Sequence, residues 1–432
     1  MKIHELEVIN FRDFEHQTFH FPEQFTVLIG DNGTGKTAIL DALAIGAGCL
    51  FSGFDEVSKL HRLIRDDEVR RVSYAMGEIP TVEPQYPVSI SCSGLVGGYE
   101  ITWKQILEKV DEDNRHSLNS FEILNVSKQL QEKVRKGDSV VLPMVACYGT
   151  GRLWLQKKKQ SVEPMKPSSR MLGYVNCLDP ESNHQALQRW LQRMEGAALQ
   201  RRESFGVLDA VKNAIANCIY YCESVNYDFL EAEISTTFKD GRILPFRMLS
   251  DGIRSMLGMV ADIAYRAAVL NPQLGSEAAQ KTPGIVLIDE IDLHLHPKWQ
   301  RRVIDDLKAA FPAIQFVATT HSPFIVQSLR EGELINLDPQ PPAEYHDKSI
   351  EDIAENVMGV ELPQKSERYL EMMKAAEEYY RVLQEAKDAN PERIEELKDR
   401  LDELTIPYSD DPAYQAFLKM EREAAGIGST EK

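Results

Sequence analysis

The run Thr26-Val27-Leu28-Ile29 passes straight into Gly30-Asp31-Asn32-Gly33-Thr34-Gly35-Lys36-Thr37, and then into a segment with Ile39, Leu40, Leu43, Ala44 and Ala47 at helical spacing. A buried strand, a glycine loop and a helix in that order force a βα unit with the loop at the helix N-terminus. Backbone N–H groups there converge on an anion, which side chains at Gly30, Gly33 and Gly35 would obstruct. Lys36 can then reach β- and γ-phosphates, and the Thr37 hydroxyl can ligate Mg²⁺. A ligand-free glycine turn is the alternative, and the position between strand and helix argues against it.

Length and charge set the outer limits. With 432 residues and 43% apolar content, two or three domains with a large core are expected. The net charge of −18 opposes indiscriminate adhesion to nucleic acid or acidic membranes, while leaving room for a local basic groove. Charges at Lys2, His4 and Glu5 break any leader-like apolar start, and no window reaches the length of a membrane span, so a cytoplasmic protein with no membrane partner is expected. The six cysteines lack C-x-x-C pairing and read as reduced, packed thiols, with Cys218 and Cys222 placed on one helix face.

Along the chain, residues 1–29 read as a strand meander into the glycine loop, with alternation at Leu6 and Val8 and at Phe19 and Phe21. Arg12 sits in its tight turn, facing either phosphates or solvent. A hairpin follows a polar stretch at 53–85: Val88, Ile90 and Cys92, then Gly97-Gly98, then Tyr99, Ile101 and Trp103. A helix near 125–136 precedes a buried strand over 140–148, ending in Tyr148-Gly149-Thr150-Gly151-Arg152, which is either a loop beside a ligand or a plain turn. Lys157-Lys158-Lys159 falls in a loop that either touches nucleic-acid phosphates or is simply solvated. Leu187, Trp190, Leu191 and Met194, then Val207, Val211, Ile215 and Ile219, predict a helical insertion over about 180–225, too short for a coiled-coil arm. A hairpin over 231–248, turned by Asp240-Gly241, leads to Leu249-Ser250-Asp251-Gly252-Ile253-Arg254. That segment opens a helix with Ser250 as cap, a second N-terminus suited to an anion.

Ile285-Val286-Leu287-Ile288 is a buried strand ending in Asp289-Glu290. Carboxylates are costly at such a place unless paired or on a metal, so Asp289 is the candidate Mg²⁺ ligand and Glu290 the candidate general base. His294 and His296 invite a metal reading but lack a third ligand. The strand over 314–320 ends at His321, which can reach a γ-phosphate from the same sheet edge.

In this order the segments resemble the ABC-type ATPases of the SMC, RecF and OLD-like classes. Residues 30–37 match Walker A, Leu249 to Gly252 the signature, Ile285 to Glu290 Walker B, Asp292 onward the D-loop and His321 the switch histidine. Asp289-Glu290-Ile291-Asp292-Leu293-His294-Leu295-His296-Pro297 and Thr319-Thr320-His321-Ser322-Pro323 are most similar to the PtuA ATPases of Septu and retron antiphage systems. The resemblance covers roughly 1–340. It implies an α/β P-loop NTPase of ABC head type with an antiparallel β subdomain, a helical insertion and a C-terminal helical hairpin. It implies ATP and Mg²⁺ as cofactors, with Gly30, Asp31, Asn32, Gly33, Thr34, Gly35, Lys36 and Thr37 on the nucleotide. Ser250 and Gly252 would reach it from a second copy, Thr37 and Asp289 would hold the metal, and Glu290, His321 and Lys36 would act in catalysis. The Q-loop glutamine is unmatched near Tyr148 to Arg152, where the first glutamine is Gln156.

Residues 341–432 show no Toprim pattern. Met373, Ala376, Tyr380 and Leu383, then Asn390-Pro391, then Ile394, Leu397, Leu401 and Leu404 predict a helical hairpin that packs on itself or on the head, or docks a partner. The resemblance implies an ATP-sandwiched homodimer or higher oligomer and a separate HNH nuclease regulated by it, with DNA or RNA as a further candidate partner. The rivals are a RecF-like repair or replication ATPase and a nucleotide-gated scaffold with negligible turnover.

Overall fold

Two sheets enclose the helix that follows the glycine loop. The computed structural model describes residues 1–76, 79–110, 113–153, 169–179, 184–338, 344–360, 363, 366–387 and scattered residues between 396 and 423. Strands β1 (Lys2–Phe11) and β2 (Phe14–His20) form a hairpin, with Leu6 opposite Phe19. The expected meander stops there. Strand β3 (Phe25–Ile29) joins the other sheet, because all five of its residues are buried and a strand with no polar face needs cover on both sides.

Helix α1 (Lys36–Gly48) follows, then a separate hairpin of β4 (Arg71–Met76) and β5 (Ile79–Pro84). Strands β6 (Val88–Val96), β7 (Tyr99–Val110) and β8 (Asp113–Asn119) extend the first hairpin into an antiparallel sheet of order β2-β1-β6-β7-β8. Cys92 pairs with Trp103 across the turn at Gly97-Gly98, as the alternation predicts. After α2 (Phe121–Lys136), strand β9 runs only from Met144 to Tyr148, since Pro143 has no N–H to place in a ladder.

Helices α3 (His184–Arg201) and α4 (Gly206–Cys218) occupy the expected helical insertion, with Leu187, Leu191, Val211 and Ile215 buried. A three-stranded antiparallel sheet of β10 (Cys222–Asp228), β11 (Glu233–Phe238) and β12 (Ile243–Pro245) follows. Cys218 and Cys222 therefore do not share a helix face. Ile219 is extended and Tyr221 takes a φ of 57°, which turns the chain from helix into strand between them. Both are free, and burial pushes the Cys218 thiol up to about 12 and the Cys222 thiol to about 11.

The remaining elements are α5 (Asp251–Leu270), α6 (Ala278–Lys281), β13 (Gly284–Ile288), α7 (Pro297–Gln300), α8 (Val303–Ala310), β14 (Ile314–Thr319), α9 (Pro323–Gln327), β15 (Leu334–Asn336), α10 (Ile350–Asn356) and α11 (Glu367–Lys387). They complete a second sheet of order β15-β3-β14-β13-β9, parallel throughout. Ile288 stands opposite both Ala318 and Tyr148, and Thr319 opposite Leu28, so the carboxyl ends finish level. Buried Gln315 on β14 stitches the sheets together: its amide accepts from Ile3 N at 2.8 Å and donates to Ile3 O at 2.8 Å and Pro22 O at 3.0 Å. Trp103 Nε1 donates to Gly46 O at 2.8 Å, fixing α1 to the antiparallel sheet. Helix α1 with its 3₁₀ continuation, Lys36–Gly53, is apolar and long enough to cross a membrane, but 83% of it is buried inside the protein. That makes it a core helix, mostly apolar because sheets cover it, with Asp41 paired to arginines.

The chain divides into two units, Met1–Ile353 and Ala354–Lys432. In the second, α11 buries Ala376, Tyr379 and Val382, while Met373 is exposed. Of the expected line Met373–Ala376–Tyr380–Leu383, Ala376 is buried and Met373 exposed, while the Leu383 side chain lies outside the described residues; the Tyr379 hydroxyl donates to Leu418 O at 3.2 Å. Asn390, Pro391, Ile394, Leu397, Leu401 and Leu404 of the expected second limb lie outside the described residues, as do Gln156 and Lys157 to Lys159.

The core of the first unit holds buried ion pairs, among them Lys308 with Glu333 and Arg266 with Asp262. Arg266 Nε donates to Asp262 Oδ2 at 2.7 Å, and both side chains are 2% exposed. Burial is the largest single effect on Arg266 and opposes its charge, but Asp262, Tyr148 and Cys177 together outweigh it and raise its pKa. Asp262 also accepts from the Tyr148 hydroxyl at 2.8 Å, tying α5 to β9. Removing one partner strands a buried charge, so Asp262→Ala is expected to cost about 3–5 kcal/mol of stability in denaturant unfolding.

Candidate functional site

The glycine loop closes on itself through its own backbone. Gly30, Gly33 and Gly35 take φ values of 147°, 88° and 98°. Each is glycine for its own reason. A Cβ at Gly30 would press on Thr34 Oγ1, one at Gly35 would enter the Phe14 ring, and Gly33 has open space and needs only its left-handed backbone. Gly35 is also the N-cap of α1 and offers no side-chain acceptor, so the helix presents its first N–H groups to the pocket. Lys36 Nζ donates to Gly30 O at 2.7 Å and Asp31 O at 2.8 Å. Burial lowers the Lys36 pKa, against Asp338, Asp289, Asp31 and Glu290. Asp338, just past β15, accepts from Asp31 N at 2.9 Å and so braces the loop from behind.

The two acids at the end of β13 stand beside this loop. Thr37 Oγ1 lies 3.3 Å from Asp289 Oδ2, and Thr319 Oγ1 donates to Asp289 Oδ1 at 2.6 Å. Thr319 Oγ1 also accepts from Glu290 N at 2.8 Å. Glu290 itself has a φ of 49°, a conformation that costs an ordinary side chain about 1–2 kcal/mol. Arg152 holds it there. Its Nη1 donates to Asp289 O at 2.7 Å and its Nη2 to Glu290 O at 2.8 Å. Hydrogen bonds from a charged donor are each worth about 1.5–3 kcal/mol, enough to outweigh the strain. Burial brings the Arg152 pKa down to about 10, with Asp289, Glu290 and Asp292 opposing the fall. The turn after β9 thus braces the acids.

His321 follows β14 and is exposed, between two anchored neighbours. Thr320 donates to Asp292, and Ser322 Oγ donates to Gln300 Oε1 at 2.7 Å. Lys36, Thr37, Asp289, Glu290, Thr319 and His321, with Asn32, Gly33, Gly35, Arg12 and Asp13, line one open pocket of about 240 Å³. Arg12 reaches its rim from a turn with φ 50°, where its guanidinium pairs with Asp41 and Glu68. It is thus a structural ion pair at the pocket edge rather than a solvated turn residue.

Ser250 and Gly252 lie outside this pocket. Ser250 occupies the N-cap of α5 with an extended backbone, but its side chain caps nothing; it is exposed, and the expected capping bond is not made. Gly252 packs so closely on His294 O that a Cβ would collide with it. His296 caps α7, accepting from Lys298 N at 3.2 Å, and among the described residues no three His, Cys, Asp or Glu side chains converge on a metal position. Thr37 and Asp289 with nucleotide phosphates suit Mg²⁺, which takes few protein ligands and keeps the rest as water or phosphate oxygen. The sequence placed Arg152 only in a turn and Thr319 only in a motif, and did not single out Asp338; their bonds depend on neighbours far along the chain.

Comparison with known proteins accords with this geometry. The AAA domain family matches residues 5–223, and a second AAA domain family, described with the AbiEii toxin of Type IV toxin–antitoxin systems, matches 149–327. The "Retron Vc95 probable ATPase" of Vibrio cholerae is 24% identical over 388 residues, 77% of this chain and 73% of its own length. The Septu protein PtuA of Bacillus thuringiensis is 34% identical over 221 residues, 48% of this chain and 50% of its own. A solved SMC head domain from Thermotoga maritima aligns with a TM-score of 0.44 at 16% identity, over 78% of this chain and 94% of that one. The site itself makes a prediction. Thr319→Val removes the hydroxyl shared by Asp289 and Glu290, and is expected to cost about 1–3 kcal/mol in unfolding experiments, with no change in the fold by circular dichroism.

Proposed function

From the premise that this chain belongs to the AAA domain family, as a P-loop ATPase of ABC type related to PtuA, we propose that it binds and hydrolyses ATP with Mg²⁺ and that two copies close on the nucleotide. We propose further that the nucleotide state regulates a separate HNH-type nuclease in antiphage defence. The observation that carries the reading is one of placement. The loop, Lys36, both acids and His321 share a pocket, while the N-terminus of α5 lies outside it. A second anion-binding helix start with no phosphate of its own is suited to a phosphate bound by another copy.

In this reading the N–H groups of the loop and of the first turn of α1 cradle the phosphates, and Lys36 exchanges its loop carbonyls for β- and γ-phosphate oxygens. Thr37 and Asp289 would hold magnesium, which supplies charge neutralisation when bound. Glu290 takes a proton from the water attacking the γ-phosphorus in line with the leaving oxygen. His321 donates to a γ-phosphate oxygen, and Ser250 and Gly252 of the second copy complete the pocket. Residues 1–340 form the head in this reading, and the helical region 341–432 docks the nuclease. DNA or RNA would be the substrate of that partner.

Glu290→Gln keeps the pocket's shape and removes the base, so it is expected to accumulate a dimer when ATP is added, seen by light scattering. Hydrolysis by that variant at the wild-type rate would falsify the assignment. Lys36→Ala is expected to lose about tenfold or more in ATP affinity by calorimetry. Undiminished binding would remove the loop from the site.

A further inference from the structure

The Arg152 side chain does more than brace the acids: it also holds the signature helix. Its Nε donates to Ser255 Oγ of α5 at 2.9 Å, while Nη1 and Nη2 hold Asp289 O and Glu290 O. Both Arg152 and Ser255 are buried, at 8% and 5% exposure. Nη1 also reaches Gly149 O at 3.2 Å, so the guanidinium is seated in its own turn. The same turn has a second pair of links. Tyr148 O accepts from Asp289 N at 2.8 Å, and the Tyr148 hydroxyl donates to Asp262 of α5 at 2.8 Å. Tyr148 to Arg152 thus grips the Asp289-Glu290 corner on one side and α5 on the other. Ser255 lies about one turn inside the N-terminus that Ser250 opens.

We infer that Arg152 is a positioning residue that couples the N-terminus of α5 to the general base: when α5 engages a second copy's nucleotide, its movement reaches Glu290 of the same chain through Ser255 and Arg152. This rests on the reading of α5 as the element that completes a pocket in a second copy. The planar fork matters, because one rigid group bonded to three carbonyls and a hydroxyl transmits a displacement that a flexible ammonium would absorb. Glu290 is poised to respond, because its left-handed backbone is held by contacts rather than preferred. Each head would then hydrolyse its own ATP only when its own α5 is engaged, so that turnover waits for closure.

The test separates closure from chemistry. Ser255→Ala cuts the Arg152 link to α5 while leaving Arg152 on its carbonyls and the Tyr148–Asp262 link in place. It is expected to lower kcat at saturating ATP about tenfold, with ATP affinity within about twofold of wild type. In the Glu290→Gln background it should dimerise on ATP as fully as Glu290→Gln alone. Ser255→Thr, which keeps the hydroxyl, should restore kcat to within about threefold of wild type. Arg152→Lys should behave as Ser255→Ala does, and if it fails to fold the serine variants still decide. An unchanged kcat in Ser255→Ala, or a kcat that falls only in step with dimer formation and melting temperature, overturns the coupling. If Glu290→Gln itself gathers no dimer on ATP, the two-copy reading falls and the coupling falls with it.

Discussion

A parallel sheet with no polar face leaves its chemistry one place to go. Strands β3, β13 and β14 are buried along their whole lengths, with helices or the second sheet on either side. Water, phosphate and charged side chains are excluded from those faces by the cost of burying them. The carboxyl edge is what remains, and the level register of Ile288, Ala318 and Tyr148, with Thr319 against Leu28, brings the loop, the acids and the histidine to one line. The architecture thus decides that groups hundreds of residues apart share a pocket.

Placing two carboxylates at that edge creates a problem that the surrounding residues solve. Asp289 and Glu290 repel each other, and Glu290 sits in a backbone conformation that most residues avoid. Thr319 bridges the pair from β14, and Arg152 grips their carbonyls from the turn after β9. The arginine brings positive charge without occupying either carboxylate, so both remain turned to the pocket. A direct salt bridge to either acid would stabilise the corner equally well and consume the group that the pocket needs.

The same economy governs the join between the sheets. Gln315 makes three hydrogen bonds from a buried position, which orients β14 against the entry of β1. Trp103 ties the antiparallel sheet to α1 through the Gly46 carbonyl, and a Cβ at Gly46 would run into Cys92 of β6. Buried amide and indole groups of this kind are costly unless satisfied, so they specify one packing of the two sheets over neighbouring ones.

The glycine loop, the Asp289-Glu290 pair, the helix at 251 and the alternation of the 88–103 hairpin could all be read from the sequence, because each is a local pattern whose meaning lies within about a dozen residues. What could not be read depends on which distant segments meet. Nothing near Arg152 says that two carbonyls 137 and 138 residues away need a donor, nor does anything near Gly252 say that His294 O lies against it. The departure of β3 to the other sheet, the break between Cys218 and Cys222 and the inward turn of Tyr379 also follow from tertiary packing. By itself, then, the sequence marked the candidates for binding a phosphate, a cation and a water. Only the tertiary structure decided how the acids are held and which helix shares their arginine, because hydrogen bonds between remote segments exist only after the sheet has closed.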